Sequence, residues 1–244
     1  MRRELEFVLV HGASHGAWCW DDVGTRLAAR GHRVVTLDLP GHGRRAAEAR
    51  RASVTAYAQA VVDAMAREGV SRGIVVGHSM GGIVIPKVAE LAPARVARLV
   101  FLAAVVLPSG RSMAETHLSP AARAMVRGLA AARGDGTYHY PAELAWSRYL
   151  GDLPRGHPAV ARALALLTPQ PVRPVFERVA LTTFYSTSVP RDYVRCLADV
   201  AVPPARAAAY AAQLGVRPVD LETAHDPMVS APEPLARLLE KLAG

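Results

Sequence analysis

The sequence predicts an α/β fold in which a mostly parallel sheet is flanked by helices. Short apolar stretches typical of buried strands alternate with longer helical stretches through residues 1–105, and the alternation returns at 189–244. Between them, residues 106–188 show helical patterns only, broken by Gly and Pro. We therefore expect one core domain, formed by residues 1–105 and 189–244, with residues 106–188 inserted as a helical cap.

The elements of the core follow from apolar patterns and from residues that start or stop helices. We expect strands at 6–10, 33–39, 73–76, 99–104, 193–197 and 217–222. We expect helices at 21–30, 54–68, 81–91, 203–214 and 232–242. Gly31 is suited to end the first helix. Pro86 lies inside the third helix and predicts a kink, or a carbonyl without its helical hydrogen bond.

The composition indicates a globular protein with a sizeable core. The chain has 244 residues, of which 51% are hydrophobic and 20% charged. The longest apolar run, residues 99–107, is too short to cross a bilayer, and no signal-peptide pattern is visible near the start. We expect a cytoplasmic protein with no membrane partner.

The net charge of +8 does not indicate nucleic-acid binding. Arginine supplies most of it, and the densest basic stretch, residues 44–51, has no interleaved aromatic residues that could stack on bases. Cys19 and Cys196 do not have the spacing of a metal site, so we expect both to pack as small hydrophobic residues and predict no metal.

The sequence GHSMGG at residues 77–82 follows a predicted strand and precedes a predicted helix. It fits the pattern Gly-x-Ser-x-Gly, in which a sharp turn exposes a nucleophilic serine at the end of a sheet. Gly77 and Gly81 lack Cβ atoms and therefore tolerate such a turn. Ser79 is the predicted nucleophile. The alternative is a glycine-rich turn whose serine has no catalytic role, and it requires that no catalytic partners follow later in the chain.

Candidate partners do follow, each in a loop after a predicted strand. A serine hydroxyl needs a base to take its proton, and a carboxylate must orient that base. In the chain order Ser, then Asp or Glu, then His, these residues are Asp199 and His225. Asp38 is the main rival carboxylate, but it precedes the serine and is expected to set the loop 39–43.

The other eight histidines are weaker candidates for the base. The side chain of His78 should point away from the serine, and those nearest the predicted strands are expected to shape loops or lie at the surface. Three fall in the cap, where contact with a substrate is conceivable. The eight are His11, His15, His32, His42, His78, His117, His139 and His157.

A developing oxyanion needs N–H donors already in place. We expect the backbone N–H of Met80, at the start of a helix, to be one donor, and that of Ala13, in the loop after the first strand, to be the other. Gly12 lets the backbone approach the substrate there. Further substrate contacts are predicted from Gly12, Ser14, His15 and, in the cap, Trp146 and Tyr149, with Tyr138 and Tyr140 completing an apolar pocket.

Four segments resemble the α/β-hydrolase superfamily, and more narrowly the plant methylesterase and hydroxynitrile lyase family with its bacterial esterase relatives. They are FVLVHGASHGAWCW at 7–20, GHRV at 31–34 with LDLPGHG at 37–43, GHSMGG at 77–82, and Ala198-Asp199 with TAHDP at 223–227. LTPQP at 167–171 is the one similar segment of the cap. The resemblance implies an α/β-hydrolase fold without a cofactor, with the amides of Ala13 and Met80 as the oxyanion hole.

Two departures from the family pattern favour ester hydrolysis over cyanohydrin cleavage. The lyases have threonine where this chain has Gly12, and lysine where it has Asp226. The cation that would assist departing cyanide is therefore missing. If the Asp226 carboxylate points inward, it could raise the pKa of His225.

The sequence thus predicts a serine-dependent carboxylesterase that acts on a small apolar or aromatic ester through an acyl-enzyme. The alternatives are a lyase, lactone or thioester cleavage at the same site, and a non-hydrolytic binding or cyclisation protein on the same scaffold. The predicted partner is the small-molecule ester, and a homodimer stays open.

Overall fold

A parallel β-sheet forms the centre of the structure, a computed structural model that describes residues 4–244. Residues 1–3, at the start of the predicted core, lie outside this range. The strands are β1 (Glu6–Val10), β2 (Arg33–Thr36), β3 (Gly73–His78), β4 (Val96–Leu102), β5 (Thr137–Tyr138), β6 (Gln170–Pro171), β7 (Arg191–Cys196) and β8 (Pro218–Leu221). Six of them form the central sheet in the order β2-β1-β3-β4-β7-β8, and every neighbouring pair is parallel. The predicted α/β architecture is confirmed.

Helices cover both faces of this sheet. The helices are α1 (Asp21–Ala29), α2 (Val54–Arg67), α3 (Gly81–Leu91), α4 (Met113–Thr116), α5 (Pro120–Arg133), α6 (Ala142–Tyr149), α7 (Pro158–Leu166), α8 (Arg173–Phe176), α9 (Pro204–Gln213), α10 (Pro227–Ser230) and α11 (Pro232–Ala243). α1 and α11 pack on one face, and α2, α3 and α9 on the other. Among these helices, none is long and apolar enough to cross a membrane.

The strands are apolar on both sides because both sides are buried. Successive side chains of a strand point to opposite faces. In β1, Phe7 and Leu9 therefore join the cluster that contains α1 and α11, whereas Val8 and Val10 join the cluster beneath α2 and α3. Continuous apolar runs of this kind are typical of parallel strands covered by helices.

Several predicted strand boundaries were wrong by one to three residues, and for two strands the pairing gives the reason. β2 ends at Thr36, not at residue 39, because its last partner is Leu9, one residue before the end of β1. β4 begins at Val96, which pairs with Gly73, and ends before Ala103, whose φ of 45° turns the chain out of the sheet. α3 contains Pro86 and continues beyond it to its end at Leu91.

Residues 106–188 lie between β4 and β7 and contain five helices, α4 to α8. They have a hydrophobic cluster of their own, which includes Val126, Tyr138 and Val160. The prediction of helices alone was wrong here, because β5 and β6 form an antiparallel pair. Each is two residues long, too short to show an alternating pattern, and β6 includes Pro171.

Strand β6 attaches the cap to the loop that follows β1. The side-chain oxygen of the buried Gln170 accepts hydrogen bonds from the Ser14 amide and from His42 Nε2, each at 2.9 Å. The amide of Thr168 donates to the Ser14 carbonyl at 2.8 Å. Ser14 has a φ of 63°, so this unusual backbone conformation is held from both sides by the cap.

We expect Gln170→Leu to destabilise the fold strongly. It would leave two buried donors, the Ser14 amide and the His42 ring, without acceptors, at a cost of about 1–3 kcal/mol for each. Denaturant unfolding measures the loss. The control is Gln59→Leu on the exposed side of α2, which should change the free energy of unfolding by less than about 0.5 kcal/mol. Equal losses in the two variants would contradict the role of Gln170.

Candidate active site

Ser79 occupies the sharp turn between β3 and α3. Its φ of 52° lies in the left-handed region, which is strained for a residue with a Cβ atom. Backbone hydrogen bonds hold this conformation: the Ser79 amide donates to the Leu102 carbonyl, and the Ser79 carbonyl accepts from the amides of Gly82 and Val105, all at 3.0–3.1 Å. The end of β4 therefore fixes the turn at the end of β3.

The turn also depends on glycines that leave no room for a Cβ atom. A Cβ on Gly77 would lie 2.8 Å from the Gly81 carbonyl oxygen, and one on Gly82 would lie 2.5 Å from the Val105 carbonyl oxygen. A Cβ on Gly12 would lie 2.8 Å from the Cβ of Ser79. These three positions let the loop after β1 and the start of α3 close around the serine.

Ser79, His225 and Asp199 form a continuous chain of hydrogen bonds. The Ser79 Oγ lies 2.8 Å from His225 Nε2, and His225 Nδ1 lies 2.7 Å from Asp199 Oδ2. The carboxylate can only accept, so Nδ1 carries the proton and the Nε2 lone pair faces the serine hydroxyl. This is the arrangement in which a histidine can take a proton from a serine.

The second oxygen of Asp199 fixes the carboxylate in place. Asp199 Oδ1 accepts hydrogen bonds from the amides of Ala201 at 2.7 Å and Val202 at 2.9 Å. The rival carboxylate, Asp38, is used elsewhere: it accepts from the amides of Ala17 and Arg44 and ties together the loops after β1 and β2.

The two predicted oxyanion donors lie beside the serine. Met80 directly precedes α3, and Ala13 lines the same cavity as Ser79. Within residues 4–244, neither amide donates a backbone hydrogen bond outside the helices and strands. Both are therefore available to an oxygen bound next to Ser79, one of them at the positive end of a helix.

Next to His225 in the chain, Asp226 forms a buried pair with His15, a contact that the sequence did not predict. Asp226 points inward, as the hypothesis on its role requires, but its Oδ2 lies 2.8 Å from His15 Nε2, and each side chain is 1% exposed. His15 Nδ1 lies 2.7 Å from the Ala13 carbonyl oxygen, which can only accept. Both ring nitrogens of His15 therefore act as donors, and the pair is an imidazolium and a carboxylate.

The pKa values of the pair follow from this contact. Burial lowers the pKa of His15, but the charge and hydrogen bond of Asp226 outweigh it and raise the pKa above its ordinary value. Burial raises the pKa of Asp226, but the charge and hydrogen bond of His15 outweigh it and lower the pKa below its ordinary value. Each partner thus keeps the other charged.

His78 holds the backbone of the loop that contains His225. Its Nε2 donates to the carbonyl oxygen of His225 at 3.0 Å, so its side chain points away from the Ser79 hydroxyl, as expected. Burial, followed by the charge of His225, lowers the pKa of His78 well below its ordinary value. His78 is therefore a neutral donor that holds the backbone of the catalytic histidine.

A metal does not fit this cluster without breaking the triad. Side-chain nitrogen and oxygen atoms of His78, His225 and Asp226 lie within 4.8 Å of one another. However, His225 already uses both ring nitrogens, one toward Ser79 and one toward Asp199. A metal bound to this ring would displace one of those contacts.

A narrow cavity opens onto Ser79 and His225. Its walls come mainly from the cap and are apolar or aromatic, with Met113, Leu118, Tyr138, Tyr140, Tyr149 and Val202 among them. His117 also lines it and lies 3.2 Å from the Tyr210 hydroxyl; burial is the main reason that its pKa falls to about 3.

Of the five residues predicted to contact substrate, Tyr149 lines this cavity. Trp146 does not, because its indole donates to the Leu153 carbonyl and packs in the cap cluster. His15 does not, because it faces Asp226. Gly12 packs against Ser79 from behind, and the backbone of Ser14 is bonded to Gln170 and Thr168.

Sequence reasoning missed Arg148, which also lines the cavity. It lies one residue before Tyr149 near the end of α6, in a part of the cap without a recognisable motif. Nothing in the local sequence distinguishes it from the other arginines of the cap.

The profile of the "Alpha/beta hydrolase family" matches residues 7–238. Esterase PIR7B of Oryza sativa subsp. japonica is 38% identical over 110 residues, which cover 44% of this chain and 41% of that protein. A carbendazim-hydrolysing esterase of a Nocardioides species is 39% identical over 108 residues, covering 44% and 45%. The matched segment thus spans less than half the length of either curated relative.

Solved structures match over nearly the whole chain. An extracellular alpha/beta-hydrolase from a Paenibacillus species, described as sharing structural and functional homology with tobacco salicylic acid binding protein 2, superposes with a TM-score of 0.90. It is 27% identical, and the match covers 98% of this chain and 99% of that one. A pyrethroid hydrolase from Sphingobium faniae is also 27% identical, with a TM-score of 0.76 and coverage of 99% and 98%.

We expect the stability loss caused by Asp226→Asn to depend on pH. The raised pKa of His15 gives stability that is complete below about pH 6.5 and is lost as pH rises through the raised value. The lowered pKa of Asp226 gives stability that is complete above about pH 4 and is lost as pH falls through the lowered value. The variant should therefore lose more thermal stability at about pH 5.5 than at about pH 9.5.

Thermal unfolding of both proteins across this pH range measures the effect. Asp220→Asn is the control, because Asp220 pairs with Arg195, which stays charged throughout. Its effect on Tm should be nearly constant across the same range. A pH-independent difference for Asp226→Asn would contradict the charged His15–Asp226 pair.

Proposed function

The chain belongs to the alpha/beta hydrolase family, and from this premise we propose that it is a carboxylesterase that cleaves small apolar or aromatic esters through an acyl-enzyme. The observation that carries the proposal is the hydrogen-bonded chain from Ser79 through His225 to Asp199. The names of the Oryza and Nocardioides relatives, both esterases, support the same reaction class.

The geometry supports the following sequence of steps. His225 Nε2 takes the proton of the Ser79 hydroxyl as Oγ attacks the ester carbonyl. Asp199, held by two backbone amides, stabilises the imidazolium that forms. The amides of Ala13 and Met80 bind the oxyanion of the tetrahedral intermediate. His225 then gives its proton to the departing alcohol.

The second half of the reaction repeats these roles with water. His225 takes a proton from a water molecule, which attacks the acyl-enzyme, and the acid is released as Ser79 regains its proton. The aromatic cap side chains around the cavity favour an apolar acyl or alcohol group. Lyase chemistry is less well supported, because the residue after His225 is a carboxylate engaged with His15 rather than a cation. A cytoplasmic location stays a prediction.

We expect a fluorophosphonate probe to label Ser79 covalently, because such probes react with activated serine hydroxyls. Mass spectrometry of the labelled peptide identifies the site. Ser79→Ala should abolish the adduct, His225→Ala should slow its formation strongly, and Asp199→Asn should reduce hydrolysis of p-nitrophenyl acetate by about 10⁴-fold.

Ser71→Ala is the matched control, since Ser71 is exposed and lies just before β3, at the opposite end of the strand from Ser79. It should leave labelling unchanged. An adduct on another residue, or one undiminished in His225→Ala, would rule out the proposed triad.

We expect Gly12→Ala to reduce ester hydrolysis by at least about 100-fold, because the added methyl group must displace the serine side chain or the oxyanion loop. Steady-state kinetics with p-nitrophenyl acetate measures the loss. Gly24→Ala on α1 is the control: its Cβ would make ordinary contact, 3.6 Å from a Val34 methyl carbon, and its kinetics should match wild type. Full activity in Gly12→Ala would contradict the close packing assigned to Gly12.

A further inference from the structure

The cavity next to Ser79 contains a cation with no anionic partner. Arg148 is the one arginine or lysine among its lining residues, and no aspartate or glutamate lines it. Several other cap arginines, such as Arg133, Arg155 and Arg178, have a carboxylate within 4 Å. Within residues 4–244, Arg148 forms neither a hydrogen bond nor an ion pair.

Arg148 is half-buried and lies over an aromatic ring. Its Cζ atom is 6.0 Å from the centroid of the Tyr140 ring. Stacking of this kind orients a guanidinium and leaves its N–H groups free to donate, because the ring occupies only the face of the planar group. A guanidinium so placed is suited to bind a carboxylate through two hydrogen bonds.

The charge of Arg148 affects a second residue that lines the cavity. After burial, Arg148 is the next cause of the lowered pKa of His117, which lines the same cavity. His117 is therefore neutral near pH 7 and does not compete for an anion. The walls of the cavity thus combine one positive charge with apolar and phenolic groups.

We propose that Arg148 selects esters that carry a second, ionised carboxylate group, such as half-esters of short dicarboxylic acids. This rests on the proposed esterase reaction, and it replaces the apolar or aromatic ester of that proposal by an ester with a charged end. The ester carbonyl would lie between Ser79 and the Ala13 and Met80 amides, and the free carboxylate would pair with the Arg148 guanidinium. An apolar ester would leave this half-buried charge without a partner.

The test compares monomethyl esters of succinate, glutarate and adipate with the corresponding methyl ester amides. Each amide has nearly the same size and shape as the half-ester but no charge. For at least one chain length, wild type should have a kcat/KM about 10- to 100-fold higher for the half-ester, as expected for a charged hydrogen bond. The difference should lie mainly in KM, because the carboxylate does not change during the reaction.

Arg148→Gln should bring the ratio of the two kcat/KM values close to one and leave hydrolysis of the amides within a fewfold of wild type. Arg148→Lys should keep part of the preference, since the charge stays but the planar fork is lost. Arg155→Gln is the matched control: Arg155 also lies 6.0 Å from an aromatic centroid, that of Trp146, but it pairs with Glu143 and does not line the cavity. It should keep the wild-type ratio.

Three results would overturn the proposal: no half-ester preferred at any chain length, a ratio unchanged in Arg148→Gln, or an equal loss for charged and neutral esters in that variant. Failure of the esterase function itself is recognised separately, because p-nitrophenyl acetate would then not be cleaved either. In that case, calorimetric titration of wild type and Arg148→Gln with glutaramate, which carries one carboxylate, and with the neutral glutaramide still decides the role of Arg148. Tighter glutaramate binding that depends on Arg148 supports it, and equal binding of the two ligands contradicts it.

Discussion

The left-handed conformation of Ser79 is the constraint on which the active site depends. A residue with a Cβ atom adopts this conformation at a cost, so the surroundings must hold it in place. Here the end of β4 and the segment that follows it do so, through the hydrogen bonds of Ser79 with Leu102 and Val105. The same tightness excludes a side chain at Gly12 and Gly82, which explains why small residues surround the serine on three sides.

The loops that contain Ser79 and His225 are further joined by the residues that directly precede or follow these two. His78, next to the serine, holds the backbone of His225. Asp226, next to the histidine, holds His15, which in turn holds the carbonyl of Ala13. Each loop is therefore fixed relative to the next by a buried polar contact. Buried groups of this kind stabilise a single arrangement because leaving any one of them unpaired is costly.

The fold and the meeting of Ser79, His225 and Asp199 could be predicted from the sequence because their signals are local. The turn at Ser79 needs glycines at fixed spacing, and the carboxyl ends of parallel strands meet at one edge of the sheet, which brings Asp199 and His225 within reach. Gln170 and Arg148 could not be assigned in this way. Gln170 contacts a loop 156 residues away, and Arg148 reaches the cavity through the packing of the cap, which follows no short motif.

The arrangement of the reacting groups therefore depends on the core, whereas the lining of the cavity depends on the cap. Substitutions around Ser79 meet backbone atoms at less than 3 Å, so the reacting groups tolerate little change. The cavity walls that face them come mostly from the cap, which has a hydrophobic cluster of its own, so that side chains there can change without disturbing the turn. Arg148 lies half-buried in this wall without an ion-pair partner among the described residues, where an anionic ligand can pair with it. The choice of substrate is therefore better sought in Arg148 and its tyrosine neighbours than in the residues that carry out the reaction.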